Sequence, residues 1–150
     1  MTQDDEFYMR EALREAMIAY GKDEVPVGAV VVCNGKIIAR AHNQTETLND
    51  ATAHAEMIAL TAAQNHLGSK YLNECTIYIT LEPCIMCAGA LNWTKIGRIF
   101  FGATDPKFGS SLVGKRLYHP KSEVTTGILE KDCSELLTDF FRKKRELKKY

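Results

Sequence analysis

The sequence predicts an α/β protein: a three-layer α/β/α sandwich around a mixed central sheet, in one domain spanning 1–150. Three observations carry this. The hydrophobic period switches repeatedly between helical and strand spacing, giving the order α-β-β-α-β-α-β-…-α. Asn34-Gly35, between two β-rich runs, suits the positive φ angles of a two-residue turn and makes the first two strands antiparallel. Later strands are separated by helices, which calls for parallel pairing through right-handed crossovers.

Taken in order, FYMREALREAMIAY (7–20) places Phe7, Met9, Ala12, Leu13, Ala16, Met17 and Tyr20 near one helical stripe, with Gly21 as C-cap. VPVGAVVVCNGKIIARAHN supplies the first hairpin. Residues 51–66 alternate alanine with larger apolar groups at helical spacing and stop before Gly68. CTIYITL (75–81) reads as a buried strand, 83–93 as a helix opening on Pro83, and IGRIFFGA (96–103) as a strand. Residues 104–122 read as a long loop rich in Pro, Gly and Ser, of a length associated with function or mobility. A helix from about Lys131, carrying Leu136, Leu137, Phe140 and Phe141, closes the chain.

At 150 residues, 45% hydrophobic and 25% charged, the composition is that of one soluble domain with a proper core. Nineteen basic and nineteen acidic residues cancel, so net charge singles out no partner. Its distribution says more: RKKRELKKY (142–150) carries six basic residues against Glu146, a tail suited either to a polyanion or simply to solvent. Residues 1–6 have neither a basic nor an apolar signal region, and the longest apolar run, 25–33, is too short to span a bilayer. Five cysteines, an odd number, then read as thiols or metal ligands in the cytoplasm and not as a disulfide framework.

The chemistry gathers in TAHAEM and TLEPCIMCAGA. His54 and Glu56 fall in the first turns of the 51–66 helix, where free N–H groups and the dipole favour anions. Cys84 and Cys87, three apart, share a face of the helix that Pro83 opens, where a thiolate is favoured. Both helices follow strands and so open at the carboxyl edge of the sheet. One imidazole and two thiolates make three ligands. A closed structural zinc needs four, whereas a catalytic one keeps a position for water. Cys33 and Cys75 read as small core residues, Cys133 as structural, and His42, His66 and His119 as capping or surface groups, His119 alone having a claim to line a site. Glu56 is then placed to take a proton from water at the metal and pass it on, which is the work of hydrolytic deamination.

H-x-E with P-C-x-x-C is the signature of zinc-dependent nucleobase deaminases, tRNA adenosine deaminases among them. The chain resembles the tRNA-specific adenosine deaminases in EVPVGAVVV, the HN of RAHN, TAHAEM, TIYITLEPCIMCAGA, IGRIFFGA and GILEKDCSELLTDFFRKKR. The resemblance implies a cytidine-deaminase-like fold, Zn2+ on His54, Cys84 and Cys87, Glu56 as proton shuttle, and conversion of adenosine to inosine at the wobble position of a tRNA anticodon stem-loop by a homodimer. It also implies that Asn43 contacts the target nucleoside, that Pro26 and Val27 wall the base, that Asp105 lies near the ribose, and that Phe141 and Arg142, beside Phe140, lie along the anticodon loop. The chain departs from the family at Ala51, where proline is usual, at Thr104 and in 110–124. A deaminase of a free base or nucleoside such as guanine, cytosine or cytidine shares the zinc constellation and is the second reading. A metal-binding module without turnover is the third, and Glu56 argues against it because a structural zinc does not need it.

Overall fold

The computed structural model describes residues 2–148. Its elements are α1 (Gln3–Gly21), β1 (Gly28–Cys33), β2 (Lys36–His42), α2 (Ala55–Leu67), β3 (Cys75–Leu81), α3 (Ile85–Thr94), β4 (Arg98–Ala103), two 3-10 turns, β5 (Glu123–Thr126) and α4 (Glu130–Leu147). The sheet order is β2-β1-β3-β4-β5. β1 pairs antiparallel with β2 and β3, while β3–β4 and β4–β5 are parallel, so the sheet is mixed as the hairpin turn and the crossovers require. Asn34 (φ 52°) and Gly35 (φ 74°) make the tight turn.

The pleat sorts residues to two cores. Ala29, Val31 and Cys33 face one side with Ile77, Ile79 and Ile99, packed under Ala55, Ala59, Leu60 and Ala63 of α2 and Ala88 and Leu91 of α3. Val30, Val32, Tyr78 and Phe100 face the other, under Met9 and Ala12 of α1, Ile128 just before α4 and Cys133 within it. Helix α1 crosses the start of β1 so closely that a Cβ on Gly28 would lie 2.0 Å from the Ala12 carbonyl oxygen. Cys33 and Cys75, cross-strand neighbours, are core residues as expected.

Four expectations need correction. Helix α1 begins at Gln3, not Phe7, because Thr2 and Asp5 form a reciprocal capping box (3.0 and 3.1 Å); its buried stripe is Met9, Ala12, Ala16 and Ala19, with Phe7 and Met17 exposed. Helix α2 begins at Ala55 and not at 51, because the Asp50 carboxylate captures the N–H and hydroxyl of Thr52 (both 2.9 Å) in a local turn. Helix α3 begins at Ile85, with Cys84 as its N-cap and Pro83 outside. Finally, β5 was not anticipated: EVTT is a four-residue, half-exposed edge strand with too little apolar alternation to register in the sequence.

Candidate active site

The start of α2 and the start of α3 meet at the carboxyl edge of β3. His54 is the N-cap of α2, with extended backbone and no side-chain capping bond, so its imidazole is free to point away from its own helix. The open N–H of Ala55 is satisfied by Asn43 Oδ1 (2.9 Å) instead. Cys84 caps α3, its sulfur accepting the Cys87 N–H (3.5 Å). Two helix N-termini thus converge with three donor atoms between them.

His54 Nδ1 lies 3.6 Å from Cys84 Sγ and 3.5 Å from Cys87 Sγ, and all three atoms lie within 4.8 Å of one another. Zinc bonds of about 2.3 Å to sulfur and about 2.0–2.1 Å to nitrogen, at a tetrahedral angle, put S and N about 3.6 Å apart. The residues present therefore fit zinc without rearrangement. Cys84 is the readier thiolate: hydrogen bonding from Cys87 and, against burial, from His54 brings its thiol down to about 4. The Cys84 sulfur and burial push Cys87 up, and hydrogen bonding to Cys84 raises His54.

Glu56 sits in the first turn of α2 and is buried. Burial pushes its carboxyl up to about 7, against a hydrogen bond from its own backbone N–H, and the neighbouring Cys84 adds to the rise. A carboxyl poised near neutrality beside a cluster of potential metal ligands has the pKa that a group exchanging protons near neutral pH requires.

Above this floor opens a cavity of about 890 Å³. Val27, Asn43, His54, Glu56, Cys84, Asp105 and Phe141 line it, and Cys87 is buried beneath. Asn43 commits its oxygen to Ala55. Pro26 and Arg142 lie outside the lining. Pro26 is buried behind the wall, and the valine before it, Val25, takes the facing position. Arg142 is paired with Asp139 and Glu146 along its own helix, whereas Lys144, Arg145 and Lys148 line the mouth. Lys149, also in the basic tail, lies outside the described residues. His119 lines a separate depression at the far end of α3 with Trp93, Lys95 and Arg116.

The sequence reading missed Thr45, Glu82 and Phe108 in this site. Phe108 carried a signal, a large aromatic in a loop with Pro, Gly and Ser, and it is exposed.

The cytidine and deoxycytidylate deaminase zinc-binding region matches residues 2–103. The chain is 48% identical to a tRNA-specific adenosine deaminase of Bacillus subtilis over 99% of its own length and 95% of that protein's. A structure from a study of A-to-I editing by tRNA:A34 deaminases at the wobble position superposes with a TM-score of 0.81 at 41% identity, covering 87% of this chain and 99% of that one. A guanine deaminase from Bacillus subtilis is similar at 34% identity and TM-score 0.66, covering 75% of this chain and 74% of that one. The fold, the converging helix starts and these likenesses agree: the chain belongs to the cytidine and deoxycytidylate deaminase zinc-binding family, among the tRNA-specific adenosine deaminases.

Proposed function

We propose that this chain is a zinc-dependent hydrolase that converts adenosine to inosine at the wobble position of a tRNA anticodon stem-loop. The observation that carries it is the His54–Cys84–Cys87 cluster with buried Glu56 beside it, at the floor of a cavity whose mouth bears Phe141, Arg145 and Lys148. Zinc held by His54, Cys84 and Cys87 would make water nucleophilic at neutral pH. Glu56 takes the proton released as the water oxygen bonds to C6 of the purine. It holds that proton out of solvent and returns it to the amino nitrogen, which leaves as ammonia; adenosine and water become inosine and ammonia. Val27 packs against the base, and the Asn43 amide nitrogen donates to the nucleoside. An unpaired anticodon base is cheaply splayed into such a cavity, while cationic side chains at the mouth take the adjoining phosphates and Phe141 offers a stacking face.

A homodimer fits the same reading. Ile85 and Trp93, two turns apart on α3 with Gly89 between them, leave an exposed stripe with Met86 beside it; Trp93 is 83% exposed. Sedimentation of the zinc-loaded protein tests this, and a monomer at micromolar concentration refutes it. Among the described residues no helix is long and apolar enough to cross a membrane.

The test of function is inosine formation in a synthetic anticodon stem-loop carrying adenosine at the wobble position, beside free adenosine, guanine, cytosine and cytidine. Conversion of the stem-loop alone is the expected outcome. Turnover of a free base or nucleoside with an inert stem-loop would overturn the tRNA assignment and leave the zinc chemistry in place.

A further inference from the structure

The two walls of the cavity are loops, and each is gathered by one buried carboxylate. Glu24, fully buried, accepts the Glu46 N–H (3.0 Å), the Thr47 N–H and hydroxyl (both 2.6 Å) and the Thr45 hydroxyl (3.4 Å). All four donors belong to the loop between β2 and α2. That loop presents Thr45 to the cavity and, through the Gln44 N–H to the Ala53 carbonyl (3.0 Å), closes next to His54.

Glu82, 3% exposed, does the same for the opposite wall. It accepts the Asp105 N–H (2.9 Å), the Ser111 N–H (2.7 Å) and the Ser110 hydroxyl (3.5 Å). The loop wraps it so closely that a Cβ on Gly109 would lie 2.4 Å from Glu82 Cδ. Gly109 in turn bridges to Cys84, and the Ser110 N–H donates to the Pro83 carbonyl (2.9 Å).

Burial opposes the charge of Glu24, yet its donors outweigh it and hold its carboxyl below the ordinary glutamate value. A buried charge is costly and persists where its donors are organised around it. Neither carboxylate ties together two core elements. Every hydrogen-bond partner of each lies in the one loop that walls the cavity.

We propose that Glu24 and Glu82 are paired positioning residues of the deamination site. Each fixes the backbone of one wall loop, and together they set the width of the slot that holds the base against Val27 and Asn43 beside Glu56. The inference rests on the deaminase reading above.

Glu24→Gln and Glu82→Gln keep the side-chain volume but turn an amide donor toward donors. For zinc-loaded protein acting on the anticodon stem-loop, each variant is expected to raise KM at least tenfold, about 1.4 kcal/mol. The fall in kcat is smaller, and one zinc per chain is retained. Amide exchange supplies a readout that general destabilisation would not give. The Glu46 and Thr47 amides speed up in the first variant and those of Asp105 and Ser111 in the second, while Ile77 and Ile79 in β3 are unchanged. Thr47→Val, at an exposed position, and Ser110→Ala each remove one donor and give smaller KM increases; they decide the matter if a glutamine variant does not fold. KM within twofold of wild type in folded variants, or activity lost in step with zinc or with β3 protection, overturns the proposal. A wild-type protein inert on the stem-loop would instead overturn the functional reading, and the exchange pattern would still report on the two carboxylates.

Discussion

At the level of single residues, three potential metal donors, His54, Cys84 and Cys87, lie within 4.8 Å of one another, with the buried carboxyl of Glu56 beside them. Burial is what lifts the Glu56 carboxyl to about 7. Glu56→Gln keeps the shape and removes the proton shuttle. Inosine formation is expected to fall by about 10³-fold, within the range of lost general acid–base catalysis. Metal analysis should still give one zinc per chain, whereas His54→Ala should lose zinc and activity together. These residues were legible because each half of the constellation is local: H-x-E lies within one helix start and P-C-x-x-C within another. Asn43 was legible as a site residue but not as the cap of α2, since its partner Ala55 lies twelve residues away across a loop. Glu82 was unread for the same reason, its donors coming from 105–111.

Among elements, α4 shows how a helix serves core and site at once. Phe140 is buried and meets the Tyr20 ring edge-on at 5.7 Å, tying α4 to α1, while its neighbour Phe141 is 43% exposed at the cavity mouth. Tyr20 also donates to Asp139, and Lys144 pairs with Asp23. Phe140→Ala is therefore expected to cost about 3–5 kcal/mol in denaturant unfolding. Phe141→Ala should cost under about 1 kcal/mol in stability yet weaken stem-loop binding by about 1–3 kcal/mol through lost stacking. Equal stability losses in the two variants would refute this division. The sequence showed both rings as candidates for a core stripe and could not assign them, because 3.6-residue periodicity fixes a helix's own faces and not its rotation against the sheet. The starts of α2 and α3 shifted for a related reason: side-chain captures by Asp50 and Cys84 compete locally with helical propensity.

Among the described residues, four buried carboxylates hold their folded-state pKa low: Asp5, bonded to Tyr78 and Thr2, Glu11, bonded to Arg40 and Arg14, and Glu24 and Glu82. In each, burial pulls the other way and hydrogen bonding prevails. The unfolded chain then binds more protons than the native one below about pH 4.5. Stability is accordingly present in full above that pH and lost as pH falls through the depressed values. A melting temperature that declines steeply on acidification below about pH 4.5 is expected, with a shallower decline in Glu24→Gln. An acid-insensitive wild type would refute the carboxylate accounting.

The sequence by itself determined the layer order and the antiparallel first hairpin, and it marked His54, Cys84, Cys87 and Glu56 as one constellation, because each follows from contacts within a few residues or from hydrophobic period. Only the tertiary structure decided the rest. It brought two helix starts thirty residues apart to a 3.6 Å contact, turned Val25 and not Pro26 to the cavity, and spent Arg142 on its own helix while leaving Arg145 and Lys148 at the mouth. It also added β5 as an edge strand. These depend on how the helices rotate and dock against a twisted sheet, a matter of packing between distant segments that no local pattern encodes.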